Sequence, residues 1–256
     1  MLSTIRSRRV AAGLAAAGLL VGAVETASVV AEVAQEDGVR VSVAGSMSPS
    51  RLPRTGASPV AVSVSAHVVP TRPGALPKLA RIAIAINSHG KLRNGSVPVC
   101  RLGRIEPSTS AEALAACRSS LVGSGHFSAS LKIPEQSPFP SEGKVLVFNG
   151  KLNGAPALFA HVYGTEPVPT SYVLPFLIRS SRGVFGTVLE ASLPSVTGEW
   201  GYVTGVSLDL DRSYLRASCP APKDFPGASF PLMRTDFGFS GGPILTSTLN
   251  RSCKVK

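Results

Sequence analysis

Val60-Ala61-Val62-Ser63-Val64-Ser65-Ala66-His67-Val68-Val69 alternates an apolar series, Val60, Val62, Val64, Ala66 and Val68, with a mixed series of small, hydroxyl and imidazole side chains. A side-chain period of two, rich in β-branched residues, fits a strand with one buried face and does not fit the 3.6-residue repeat of a helix. The same pattern recurs outward in both directions. Leu79 to Asn87 carries Ile82, Ile84 and Ile86 and stops at Asn87-Ser88-His89-Gly90, a turn sequence. Phe127, Ala129, Leu131 and Ile133 alternate again. Lys144–Phe148 and Ala157–Tyr163 flank Asn149-Gly150-Lys151-Leu152-Asn153-Gly154, which reads as a hairpin with an extended tip. Further strands are expected over 184–193, 201–210, 229–239 and 244–249. Tyr172–Ile178 contains Pro175, which cannot donate to a ladder, so an edge strand or a bulge is expected there.

One segment breaks the pattern. Thr109-Ser110-Ala111-Glu112 is a capping-box sequence, Leu114, Cys117 and Leu121 share a helical face, and Gly123 and Gly125 follow as stop signals. A short helix is expected near 109–122. Many short strands and one helix predict an all-β protein, an antiparallel β-sandwich, with a closed β-barrel as the alternative. The chain has 256 residues, of which 44% are hydrophobic and 16% charged, which excludes a disordered polypeptide and allows a substantial core. Residues 59–256 are read as a single domain, preceded over 32–58 by a first strand (Val39, Val41, Val43) and a linker rich in Ser, Pro and Arg.

The first 31 residues read differently. Arg6, Arg8 and Arg9 precede an apolar run from Val10 to Val24, a basic head and short apolar core that match a secretory signal peptide, with cleavage expected between about residues 23 and 34. The run falls short of the ~20 residues of a permanent membrane anchor, so no transmembrane segment is expected after cleavage. The chain is therefore read as secreted or envelope-associated. Cys100, Cys117, Cys219 and Cys253 suit an oxidising compartment. Proximity in sequence favours Cys100–Cys117 and Cys219–Cys253, the first tying the short helix to a strand end.

Several motifs invite a chemical reading. Gly238-Phe239-Ser240-Gly241-Gly242-Pro243 is similar to the segment around the nucleophile of chymotrypsin-like serine proteases. That chemistry needs a histidine base, an orienting acid and an oxyanion hole. Here Phe239 stands where the family has an acid. Any base has to come from His67, His89, His126 or His161, with Asp209 or Asp211 as orienting acid. A secreted hydrolase using Ser240 is thus the alternative to a non-catalytic domain with no catalytic residues. Leu52-Pro53-Arg54-Thr55-Gly56 matches a sortase sorting signal but lacks the apolar stretch and basic tail that give such a signal its function. Asp209-Leu210-Asp211 offers alternating oxygens without the glycine and bidentate glutamate of a calcium loop. Glu190 and Glu199 are candidate paired carboxylates whose separation sequence does not give. No cysteine or histidine spacing fits a metal site, and no cofactor is expected.

The net charge is +11. Basic residues are spread along the chain without a run of five, and aromatics are few, which argues against nucleic acid and for a weak, non-specific attraction to anionic cell-envelope polymers. Leu52-Pro53-Arg54, Leu76-Pro77-Lys78-Leu79, Ala116-Cys117, Leu121-Val122-Gly123-Ser124-Gly125 and the C-terminal Leu245-Thr246-Ser247-Thr248-Leu249 with Cys253 resemble segments of a group of exported proteins of GC-rich actinobacteria. The resemblance implies an exported bacterial β-rich domain with paired cysteines and no established activity, and transfers no functional residue.

Overall fold

A computed structural model describes residues 31–72, 76–131, 135, 137–166, 168–193 and 201–256. Residues 1–30 of the expected signal segment 1–31, Ile133 and Glu199 lie outside the described residues. In chain order the strands are β1 (Glu32–Glu36), β2 (Val39–Ser48), β3 (Arg51–Leu52), β4 (Ser58–Pro59), β5 (Ala61–Pro70), β6 (Leu79–Asn87) and β7 (Gly90–Leu92). Then come helix α1 (Ser110–Cys117), β8 (Leu121–Leu131), β9 (Phe139–Leu152), β10 (Ala155–Gly164), β11 (Thr170–Ser180) and β12 (Phe185–Ser192). The chain finishes with β13 (Gly201–Leu210), β14 (Leu215–Ala217), β15 (Gly227–Phe239) and β16 (Ile244–Val255).

The protein is all-β with one short helix. Thirteen strands form one sheet in the order β1-β2-β5-β13-β8-β9-β10-β11-β12-β6-β15-β16-β3, and β4-β14-β7 form a small second sheet. The large sheet is antiparallel except at the two-residue β16–β3 pairing. It curls until its ends meet. Arg251 Nε on β16 donates to the Gly45 carbonyl on β2 at 2.7 Å, and the buried Val39, Val41 and Val43 of β2 pack with Phe237, Phe239 and Leu245 of β15 and β16. Gly45 is required at this closure, because a Cβ there would lie 2.8 Å from the Ser63 carbonyl oxygen and 2.9 Å from Leu249 Cδ2. The two halves of the curl face each other across the main core, into which the alternating residues of each strand point.

Three local expectations are revised. Of residues 32–58, the expected first strand is β2, which lies between β1 at the sheet edge and β5, while the stretch expected as a linker contains β3, paired with β16, and β4, paired with β14. The helix keeps its capping box, with Thr109 Oγ1 accepting from the Glu112 N–H at 3.2 Å and Glu112 Oε2 accepting from the Thr109 N–H at 2.8 Å, but it ends at Cys117. Gly123 and Gly125 are strand residues of β8, not helix stops. A Cβ on Gly125 would sit 1.8 Å from the Ser207 carbonyl oxygen, so these glycines allow β8 and β13 to bend closely together. Pro175 lies on an internal strand, yet the β11–β12 ladder covers only Leu177–Ser180, so the proline falls where β10 alone is paired with β11.

Segment 93–121 folds over the outside of β9 and β10. Ile105, Ala113, Cys100 and Cys117 bury Phe148, Phe159 and Ala157 in a second core. The Cys100–Cys117 disulfide fixes this cover to the strands, where the Cys100 N–H donates to the Asn149 carbonyl at 2.8 Å. The Cys219–Cys253 disulfide ties the β14–β15 connection to the end of β16. Both lie at the same end of the curl. Tyr214, Leu52, Val60 and Leu215 fill that end, with Tyr214 fully buried.

Candidate functional site: an apolar interior and a cationic end

Inside the curl, residues of eleven strands surround two adjoining cavities of about 130 and 110 Å³. Val64, Ile84, Ala160, Phe176, Leu208 and Met233 line both, forming a waist between them. Among the described residues no charged or imidazole side chain lines either cavity. Thr235 on the wall of the larger one is 4% exposed, and its hydroxyl has no hydrogen-bond partner among the described residues. Ser247, opposite Thr235 in the β15–β16 register, is also buried with an unpartnered hydroxyl. Tyr172 lines the larger cavity, and burial raises its phenol pKa, so it stays a neutral donor.

The outside carries a different signal. The disulfide-bearing end of the curl is built from residues 48–60, 87–121, 149–155, 179–186, 210–228 and 250–256. These segments hold sixteen Lys and Arg and four Asp and Glu, while the rest of the described residues hold six basic and nine acidic. The charge that looks scattered in sequence is gathered at one end of the fold. Arg101, Arg104, Lys151 and Lys223 are exposed there. Two further cations at this end hold the structure together. Arg54 donates to the carbonyls of Ala221, Pro222 and Phe225, and Arg216 Nε to that of Ala57 at 2.9 Å. The sorting-like segment 52–56 is thereby built into the stapled end, with Leu52 fully buried.

The candidate catalytic groups are dispersed. Ser240 is exposed on the tight β15–β16 turn, where the Gly242 N–H donates to the Phe239 carbonyl at 3.2 Å and Gly241 adopts a φ of +64°. No histidine is hydrogen-bonded to it. His67 and His126 are exposed on the outer faces of β5 and β8. His89 Nδ1 meets Ser218 Oγ at 3.0 Å, a serine–histidine contact at the opposite end from Ser240, with no carboxylate among the described residues bonded to the ring's other nitrogen. His161 is fully buried beneath the 93–121 cover. Its Nε2–H donates to the Ser108 carbonyl at 2.9 Å, Nδ1 has no partner, and desolvation lowers its pKa. Asp209 accepts from Ser63 Oγ, and Asp211 Oδ1 accepts from the Ser213 N–H at 3.0 Å, closing a turn. Glu190 pairs with Arg81 at 2.8 Å. Among the described residues no three His, Cys, Asp or Glu side chains are grouped to hold a metal.

The interior and the charge polarity were both missed in the sequence. The β-alternation marks inward residues but not the space left between them, and the charge polarity needs the strand order. No protein family matches the chain, and neither a curated protein nor a solved structure is significantly similar to it.

Proposed function

We propose that the chain is an exported, non-catalytic binding domain of the cell envelope that docks through its stapled, cationic end on anionic envelope polymers. The observation that carries this reading is the segregation of charge, sixteen basic against four acidic residues at one end and a slight acidic excess elsewhere. A concentrated field of one sign attracts a polyanion in a fixed orientation, where the same charge spread evenly does not. Two disulfides suit an oxidising, extracellular setting, and no helix among the described residues is long and apolar enough to cross a membrane. The basic head and short apolar run at residues 6–24 supply an export signal, in keeping with the resemblance to exported actinobacterial proteins.

Exposed charges are screened beyond about 8 Å at physiological salt. Retention of the protein on isolated cell walls is therefore expected to fall steeply as sodium chloride is raised, with no dependence on a particular sugar. Retention that survives high salt and is competed by one oligosaccharide would contradict the proposal, as would tighter binding to duplex DNA than to wall polymer at the same ionic strength. N-terminal sequencing of secreted protein is expected to start between about residues 24 and 35; recovery of intact Met1 from a membrane fraction would overturn export by cleavage.

A further inference from the structure

We infer that the interior of the curled sheet is a ligand site for a small, uncharged, largely hydrocarbon molecule carrying one hydrogen-bonding group, which the Thr235 hydroxyl receives. This goes beyond envelope docking and uses a different part of the molecule.

Protein interiors pack to crystal-like density, with few voids larger than a water molecule. The two cavities here, about 130 and 110 Å³, far exceed the ~10–15 Å³ that one water needs and are close to an apolar cavity that stays dry and takes up benzene. Of the six residues that line both, Val64, Ile84 and Ala160 are small or β-branched, and the longer Phe176, Leu208 and Met233 do not fill the space between them. A continuous apolar space of this kind favours hydrocarbon over water.

The polar groups on its wall narrow the chemistry. A buried hydroxyl without a partner is costly, and Thr235 is such a group on a mostly apolar wall whose other polar side chains, among the described residues, are Ser65 and Tyr172. A ligand hydroxyl or carbonyl at that point would satisfy it, and the Tyr172 phenol lies on the wall of the same cavity. With no cation among the described residues that line either cavity, a carboxylate or phosphate drawn inside would meet no compensating charge from them, so acidic lipids are selected against.

Among the described residues one seam of the wall is without ladder pairing. The β11–β12 ladder runs from Ser180↔Thr187 to Leu177↔Glu190 and goes no further. Beyond it, Tyr172, Leu174 and Phe176 on one side and Leu193 on the other line the larger cavity across an unpaired seam. Pro175, which lacks an N–H to offer β12, sits in that unpaired stretch.

The test is displacement of N-phenyl-1-naphthylamine, an uncharged fluorophore, from the disulfide-intact protein. The competitors are 1-octanol, 1-chlorooctane, which has chlorine in place of the hydroxyl, and sodium octanoate at neutral pH. The dye is expected to bind, both neutral octyl compounds to displace it, and octanoate to be at least tenfold weaker than 1-octanol. Thr235→Val is expected to weaken 1-octanol by roughly three- to tenfold, the range for one lost hydrogen bond, and to leave 1-chlorooctane unchanged or tighter. Thr235→Ser, which keeps the hydroxyl, is expected to retain the 1-octanol affinity. Failure of the dye to bind would overturn the ligand site. Displacement by 1-octanol that Thr235→Val leaves unchanged, or octanoate as strong as 1-octanol, would overturn the neutral-head assignment. Neither outcome touches the docking proposal, which is read on cell walls.

Discussion

Thr235→Val exchanges a hydroxyl for a methyl of nearly the same size at a site that is 4% exposed and has no hydrogen-bond partner. Most substitutions at buried positions destabilise, by about 1 kcal/mol on average; this one is expected to stabilise the ligand-free protein. Burying an unpartnered hydroxyl costs about 1–3 kcal/mol. The variant removes that cost without opening a cavity and places a strong strand-forming residue in β15. The adjoining cavity softens the penalty in the native protein, so the gain is set at the low end, about 1 kcal/mol, or a rise in Tm of about 2–4 °C for a chain of this size. Urea and thermal melts with the disulfides intact and no ligand present would measure it, with an unchanged urea slope confirming that the compact state is the same. A loss of 1 kcal/mol or more would mean that the Thr235 hydroxyl is engaged in the native state, and the argument that it awaits a ligand would fall. A gain would show a hydroxyl kept at the expense of stability, the pattern expected of a functional group.

Other expectations follow from the same structure. Replacing Cys219 and Cys253 together by alanine opens a loop of 34 residues and is expected to cost about 3–4 kcal/mol, against about 3 kcal/mol for Cys100 and Cys117 with their separation of 17; equal melting temperatures for both double variants and the parent would refute this. Gly45→Ala puts a Cβ within 3 Å of backbone and Leu249 at the closure of the curl and is expected to cost about 1–3 kcal/mol by urea melt. His161 is held neutral when folded, with its pKa below the 6.5 expected of the unfolded chain. The unfolded state therefore takes up the proton first, so stability is full above about pH 6.5 and declines as pH falls toward the folded pKa. His161→Gln is expected to flatten that decline in pH-dependent melts, and an unchanged slope would assign the acid sensitivity elsewhere.

The sequence carried the local features of the fold well. Alternation at Val60–Val69 and at Ile82, Ile84 and Ile86, the Thr109–Glu112 capping box and the spacing of the cysteines each depend on near neighbours, and each is found in the structure. Features that depend on distant neighbours were not legible. Gly123 and Gly125 look like helix stops until β13 is placed against them. The stretch after β2 looks like a linker because the partners of β3 and β4 lie on β16 and β14, far along the chain. The apolar interior and the cationic end are invisible for the same reason. One is the space between strands that are far apart in sequence, and the other is the sum of six connections that meet only after the sheet has curled.

The account rests on where the charge sits, and charge reversals matched in number test that directly. Arg101→Glu, Lys151→Glu and Lys223→Glu change three exposed cations at the stapled end; Arg40→Glu, Arg72→Glu and Lys144→Glu change three exposed cations outside it. Both triple variants shift the net charge equally, so any difference between them reports position alone. Retention on isolated cell walls at physiological salt is expected to be largely lost in the first variant and close to that of the parent in the second. Equal losses in the two would show that net charge governs the attraction and would contradict docking through the stapled end.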